Sequence, residues 1–524
     1  MRVIVAIVCA VTLFPLSLSA QTAPFGALTL EQVLELAEAR SETVAIAREG
    51  IRRAQGEEVR ARSGLFPQLS VAASYDRALA SEFEGVFDNV NFGGPQVGDE
   101  PPPADDSLED LPFGRKNTWR VNLSFSQNLF SGGRIGAQRR MALAGRETAL
   151  IGLTTSRAQL LFEATQAYYD AALSARLVSI AEASVGQATA TLRQTEAAFQ
   201  AGTQPEFEVL RARVSRDTQN PNLIRQRANR EIALLRLKQL LDLPADSPIE
   251  LADALSDDVA APAPVFASRV LPIEAAISVS DPVQVVLTAP VPQMERAPVK
   301  EAATTVLLRE AALASVKAQR MPSVSLTSTY GRVGYPTNVL TPALDRLNWN
   351  VGVTVQVPIL TGGRQRGDEL VAQAELEQTR VQLRRVEELA ALDTRSALAE
   401  LIAARASWEA TAGTVEQAAR AYEIAEVRYQ AGVSTQLELS DSRLLLQQAD
   451  ANRAQAGRDL QVARARVALL PDLPVGVGAG QSFTPQQVVP QTAPPAQPLT
   501  PPAGGGQLRN ASVPAGSAQQ FGGQ

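Results

Sequence analysis

The chain repeats itself. Trp119 to Arg134 ends in Leu129-Phe130-Ser131-Gly132-Gly133-Arg134, and Trp349 to Arg364 ends in Ile359-Leu360-Thr361-Gly362-Gly363-Arg364, an offset of 230 residues (363 less 133). At that same offset Phe199-Gln200-Ala201-Gly202 returns as Tyr429-Gln430-Ala431-Gly432, and Leu240-Leu241-Asp242-Leu243-Pro244 returns as Leu470-Pro471-Asp472-Leu473-Pro474. Three landmarks in one register make the chain a unit of about half its length used twice. The fold is therefore constrained to build the same string of elements two times over.

That string reads helix, strand, loop, strand, very long helix, tight turn, helix. Thr29 and Gln32 form a capping-box pattern ahead of an apolar-periodic stretch that predicts a helix to about Ser63. From Pro67 the period changes to two, with Leu69, Val71, Ala73 and Tyr75 alternating with polar or small residues. Trp119, Val121, Leu123 and Phe125 alternate with Arg120, Asn122, Ser124 and Ser126 in the next strand. The second half repeats this with Val324 and Leu326, then with Trp349, Val351, Val353 and Val355 against Asn350, Gly352, Thr354 and Gln356. All four strands are apolar on one face only. Ser81 to Lys116 and Gly331 to Asn348 read as the loops between strands, the first rich in Gly, Pro and acids.

No proline interrupts Phe113 to Gln204 or Ile359 to Leu470. Between each Gly-Gly turn and each Ala-Gly turn the chain can thus run as one helix of about 100 Å. No single globular core needs helices of that length, and small and apolar residues at spacings of three and four predict coiled-coil packing against the helix after the turn. Asn220-Pro221-Asn222 falls within the helix that follows the first turn, where a kink is expected. The boundaries expected are a signal peptide at 1–20, a first repeat at 21–254, a linker or equatorial segment at 255–298, a second repeat at 299–474 and a disordered Pro/Gly/Gln-rich tail at 475–524. The leader is read from Arg2, the apolar run Val3 to Leu18 and the small residues Ser17, Ser19 and Ala20.

Composition removes whole classes of function. The chain has 0 His and 1 Cys, Cys9, which lies inside the leader, so no imidazole or thiol chemistry and no zinc site is available to the mature protein. Neither a catalytic residue, a cofactor nor a metal is expected. With 49 Lys+Arg against 55 Asp+Glu and no basic cluster, nucleic acid is not an expected partner. Beyond the leader no apolar run is long enough for a membrane helix, so a crossing would have to be made by strands. Four strands cannot close a barrel, since closed barrels begin at about eight strands; two copies would fill the interior with side chains, and three would leave a lumen.

Taken together, Leu28-Thr29-Leu30-Glu31-Gln32-Val33-Leu34, the two turns ending in Gly-Gly-Arg and the two tips Gln200-Ala201-Gly202 and Gln430-Ala431-Gly432 resemble the TolC family of outer-membrane efflux and secretion channels, over nearly all of residues 28 to 474. The resemblance implies a mainly α protein with a β-barrel: a homotrimer of twelve barrel strands in outer-membrane lipid, continued by a periplasmic tunnel of coiled helical hairpins. It implies a bacterial outer-membrane location with most of the chain in the periplasm, and a periplasmic adaptor and inner-membrane pump as partners, the adaptor docking at tip residues Gly202, Thr203, Gly432, Val433 and Ser434. It places Glu438 and Asp441 where the family carries a carboxylate ring at the entrance, and Tyr429 and Glu208 where it holds the closed tip together, although Ser434 stands where a gating arginine can occur. The residues alone leave Glu438 equally placed to complete a capping box with Thr435, and Tyr429 to be an ordinary packed aromatic. The lipid face would comprise Trp119, Val121, Leu123, Phe125, Trp349, Val351, Val353 and Val355. Drug or small-molecule efflux, an exit duct for type I protein secretion, and a non-conducting periplasmic coiled-coil scaffold are the functions this reading admits, in that order.

Overall fold

The computed structural model describes residues 27–80, 117–252, 261–279, 295–336 and 344–476. The expected leader, the acidic loop 81–116, part of the linker and nearly all of the tail lie outside them. In chain order the elements are α1 (Leu30–Arg40), α2 (Glu42–Ser63), β1 (Gln68–Arg77), β2 (Asn117–Phe130), α3 (Arg134–Gln200), α4 (Glu206–Leu240), α5 (Pro264–Val279), α6 (Ala297–Ala318), β3 (Ser323–Gly334), β4 (Arg346–Gln356), α7 (Arg364–Gln430) and α8 (Gln436–Leu469).

The long helices have the bounds that the glycines predict. Both α3 and α7 contain 67 residues. Each is launched by a Gly-Gly turn, and at the first of these glycine is required twice over: Gly132 has φ +62°, and a Cβ there would stand 2.4 Å from the Met321 Cβ and 2.8 Å from the Ala318 carbonyl. Helix α3 is the central element, lying along α2, α4, α6 and α8, while α7 packs along α6 and α8. The hairpins α3–α4 and α7–α8 therefore form the body of the protein.

The start of the chain differs from the sequence expectation. The capping box forms, with the Thr29 N–H donating to Gln32 Oε1 at 3.1 Å and the Gln32 N–H to Thr29 Oγ1 at 3.4 Å. The helix it opens stops at Arg40 instead of running to Ser63. Ser41 turns extended (φ −60°, ψ 120°) and caps a second helix by accepting from the Val44 N–H. A serine N-cap followed by an acid satisfies the same donors that a continuous helix would, so the break costs little. Pro221, by contrast, lies inside a helix that continues through it, from Glu206 to Leu240.

The main core sits midway along the hairpins. Leu30, Val33, Leu34 and Ala37 of α1 pack there with Tyr168 of α3, Leu237 at the end of α4, Phe266 and Val270 of α5, and Ala465 and Leu469 of α8. Full burial of each large apolar side chain contributes about 1.5–3 kcal/mol. The chain start is laced to the end of the first half by Leu28, whose N–H donates to the Glu250 carbonyl and whose carbonyl accepts from Ala252. The stretch expected as a linker or equatorial segment contains α5, whose Glu274 pairs with the buried Arg464 of α8 at 2.7 Å.

Alongside this core lies a charged cluster. Asp393 of α7 accepts from Arg296, the residue before α6, at 2.8 Å and from Arg466 of α8 at 2.9 Å; all three side chains are buried. Arg296 also donates to the Ala390 and Leu473 carbonyls, and Arg466 pairs with Glu400. One carboxylate thus joins three segments.

Candidate functional site

The four strands form one antiparallel sheet in the order β1-β2-β3-β4. Directly paired residues share a face, so the register sorts the side chains. One face carries the rows Leu69–Phe125–Ser328–Val351, Val71–Leu123–Tyr330–Trp349, Ala73–Val121–Arg332–Leu347 and Tyr75–Trp119–Gly334. The same face continues through Gln127–Leu326–Val353 and Phe130–Val324–Val355. The opposite face carries Ser70–Ser124–Thr329–Asn350, Ala72–Asn122–Gly331–Asn348 and Ser74–Arg120–Val333–Arg346. All eight residues expected toward lipid therefore stand on the apolar face, where Trp349, Val351, Val353 and Val355 are 59% to 67% exposed.

Strands β3 and β4 extend further than expected. They take in Gly331 to Gly334 and Arg346 to Asn348, which the sequence reading placed in the loop, because the register with β2 supplies backbone partners up to Trp119. Aromatic pairs occupy the end of the sheet nearest the interstrand loops: Tyr75 with Trp119 at 5.0 Å between ring centres, and Tyr330 edge-on to Trp349 at 6.3 Å. Among the described residues the outer edges of β1 and β4 have no strand beside them.

At the other end of the long helices the two tips share one geometry. Gly202 and Gly432 each adopt φ +73°, which lets the next N–H reach back to the helix, from Thr203 to the Ala198 carbonyl and from Val433 to the Arg428 carbonyl. The return helices start directly after Pro205 and Thr435. Thr435 caps its helix by accepting from the Glu438 N–H, but the carboxylate of Glu438 does not close a box with it. Instead that carboxylate accepts from Ser434 Oγ at 2.6 Å and pairs with Arg428, across the turn, at 2.9 Å. Asp441 is exposed and makes no ion pair among the described residues.

Tyr429 and Glu208 both reach between hairpins. Tyr429 of α7 is 7% exposed, and its phenol lies 3.0 Å from Thr195 Oγ1 of α3. Beside Glu208 of α4 sits the buried Gln436 of α8. Hydrogen bonding sets the Gln436 amide with its nitrogen donating to Glu208 Oε2 at 2.9 Å and its oxygen accepting from the Ala212 N–H at 3.1 Å. Further along, Arg443 of α8 donates to Ser215 of α4 at 2.7 Å, and Arg458 of α8 pairs with Asp170 of α3. Burial pushes the Tyr422 phenol up, with Glu426 adding to the shift and Arg443 opposing it. Thr195, Arg428, Gln436 and Arg443 were not singled out in the sequence. Arg428 was findable, because it mirrors Glu438 about the tip.

An open sheet with one apolar face and a pair of helical hairpins about 100 Å long is a specific combination. The model of the family described as "Outer membrane efflux protein" matches residues 33–242 and 294–480, one stretch in each half of the chain. The chain belongs to the outer membrane efflux protein family. The chain is also similar in fold to VceC from Vibrio cholerae, with a TM-score of 0.63 and 18% identity over 84% of this chain and 96% of that one. The CmeC outer membrane channel of Campylobacter jejuni aligns with a TM-score of 0.64 and 15% identity, over 88% and 92% of the two chains. The open state of the Neisseria gonorrhoeae MtrE outer membrane channel gives 0.61 and 19%, over 85% and 89%. No curated protein matches by sequence.

Membership of the outer membrane efflux family fixes location and class: an outer-membrane protein of TolC-like fold, from a family of transport channels and not of enzymes. Among the described residues no helix is long and apolar enough to cross a membrane.

Proposed function

We propose that three copies of this chain close their sheets, β4 of one beside β1 of the next, into a twelve-stranded barrel, and that the hairpins continue it as a periplasmic tunnel for efflux of drugs or other small molecules. The observation that carries this reading is the sheet: apolar on one face, polar on the other and, among the described residues, unpaired at both edges. Copies added edge to edge satisfy the outer backbone groups, put the valine face in lipid and line a lumen with Arg120, Asn122, Ser124, Asn350 and Thr354. Aromatic pairs at the loop end suit the membrane interface.

At the opposite end, Glu438 and Asp441 of three copies would surround the periplasmic entrance, while Tyr429 and Glu208 hold the hairpins together when it is closed. Gly202, Thr203, Gly432, Val433 and Ser434 would present the tips to a periplasmic adaptor linked to an inner-membrane pump. Conduction is passive; the energy comes from the pump. Purified, leader-cleaved protein in planar lipid bilayers tests the reading. Detergent-stable, heat-modifiable trimers carrying cation-selective current are expected. A stable oligomer that needs no detergent and passes no current, even with Glu438 and Asp441 neutralised, would mark a scaffold instead.

A further inference from the structure

Between α3 and α8, where the first hairpin faces the second, lies a cavity of about 150 Å³. This is several times what one water needs. The most buried of its charged lining residues is Arg443, which is 8% exposed. The one hydrogen bond of that guanidinium goes to a neutral hydroxyl, Ser215 Oγ, and no carboxylate pairs with it among the described residues. A buried cation without a counter-charge is costly, and an arginine does not relieve the cost by losing its proton. Burial lowers the Arg443 pKa, opposed only by the nearby Tyr422.

The walls suit the missing charge. Gln187 of α3 and Gln447 of α8 line the cavity, and neither amide nitrogen has a partner among the described residues. The Ser184 hydroxyl lies 3.3 Å from the side-chain oxygens of both Gln219 and Gln447 and has one hydrogen to share between them, so the Gln447 nitrogen is the end left for a ligand. Asp450 also lines the cavity. It lies seven residues on from Arg443, about 10 Å along the helix axis, toward the end occupied by Arg176. Arg176 is exposed and makes no ion pair among the described residues. Two arginines thus outnumber one carboxylate.

We infer that this cavity is a binding site for a small oxyanion, a carboxylate or phosphate, held by the Arg443 guanidinium with the Gln187 and Gln447 amides as neutral donors. Such an anion supplies the counter-charge and accepts several of the remaining N–H groups at once. Because its ligands come from both hairpins, it ties the first to the second, a role separate from the tip contacts of Tyr429 and Glu208.

The test is thermal unfolding and calorimetric titration of the detergent-solubilised full chain with inorganic phosphate, and in a second arm acetate, each against chloride at equal ionic strength. A saturable rise in unfolding temperature is expected with one or both. Arg443→Met, which keeps the volume and removes the charge, should weaken binding at least about tenfold, the loss of a charge-assisted contact. Should that variant not fold, Gln187→Leu with Gln447→Leu leaves Arg443 in place and should still weaken binding. No rise in the unmodified protein, or an equal rise in the variants, would overturn the site, the latter being a bulk salt effect.

Discussion

The Tyr429 phenol and the Thr195 hydroxyl, 234 positions apart in sequence, stand 3.0 Å apart in a buried contact that joins α7 to α3. Thr195 has one hydroxyl hydrogen, which it donates to the Thr191 carbonyl at 2.8 Å, so Tyr429 is the donor in the pair. This direction makes the two truncations unequal. Tyr429→Phe removes a donor and leaves Thr195 satisfied, at about 0.5–1.5 kcal/mol. Thr195→Val leaves the phenol buried without an acceptor, at about 1–3 kcal/mol. Denaturation of both variants should show the threonine change as the more damaging, and the reverse order would place the donor wrongly.

At the second tip, Arg428 sits 2.9 Å from the Glu438 carboxylate and offsets its charge, whereas Asp441 is unpaired among the described residues. In the proposed entrance Asp441 should therefore set most of the charge. Reversal potentials in bilayers should move toward lower cation selectivity with Asp441→Asn and less with Glu438→Gln. Arg428→Gln should move them toward higher cation selectivity by uncovering Glu438. The pair is half exposed, so its loss should cost no more than about 1 kcal/mol of stability.

The buried cluster near the main core answers differently to substitution. Asp393→Ala would leave Arg296 and Arg466 facing each other in a site where their exposure is 3% each. Breaking a buried pair in this way costs about 3–5 kcal/mol. Against it, Glu400→Ala removes a half-exposed partner of Arg466 only, and should cost far less. Unfolding midpoints of the two variants, measured side by side, decide whether the cluster holds the three segments together.

These contacts mark where the sequence stopped being informative. Helix lengths, turns and strand faces follow from periodicity and from glycines whose positive φ excludes other residues, so they were legible from one chain. Ser41 was not, because a serine within an apolar-periodic stretch caps a new helix or rides in an old one with little to distinguish them locally. The carboxylates Glu438 and Asp441 stand out in the sequence, yet Arg428, which offsets the charge of Glu438, was not singled out. Thr195 meets Tyr429 although its repeat partner is Ala425, one helical turn away, so the 230-residue offset misaligns that contact. Pairings across hairpins depend on how the helices lie together, which neither propensity nor repeat encodes.

The two faces of the sheet give the most direct test of membrane insertion, because adjacent residues of β4 point in opposite directions. Val353 shares the apolar face with Leu326, and Thr354 shares the polar face with Ser325. A lysine on a lipid-facing strand position costs about 2–4 kcal/mol near the bilayer midplane. In the proposed trimer that cost recurs three times, so Val353→Lys should deplete heat-modifiable oligomer from the outer-membrane fraction. In the proposed barrel Thr354→Lys puts the same charge into water, so the oligomer should persist, while three added cations lower the preference for cations in bilayer recordings. Equal depletion by both variants would mean that the polar face is packed and not wet, and the lumen would have to be abandoned even if the outer-membrane location stood.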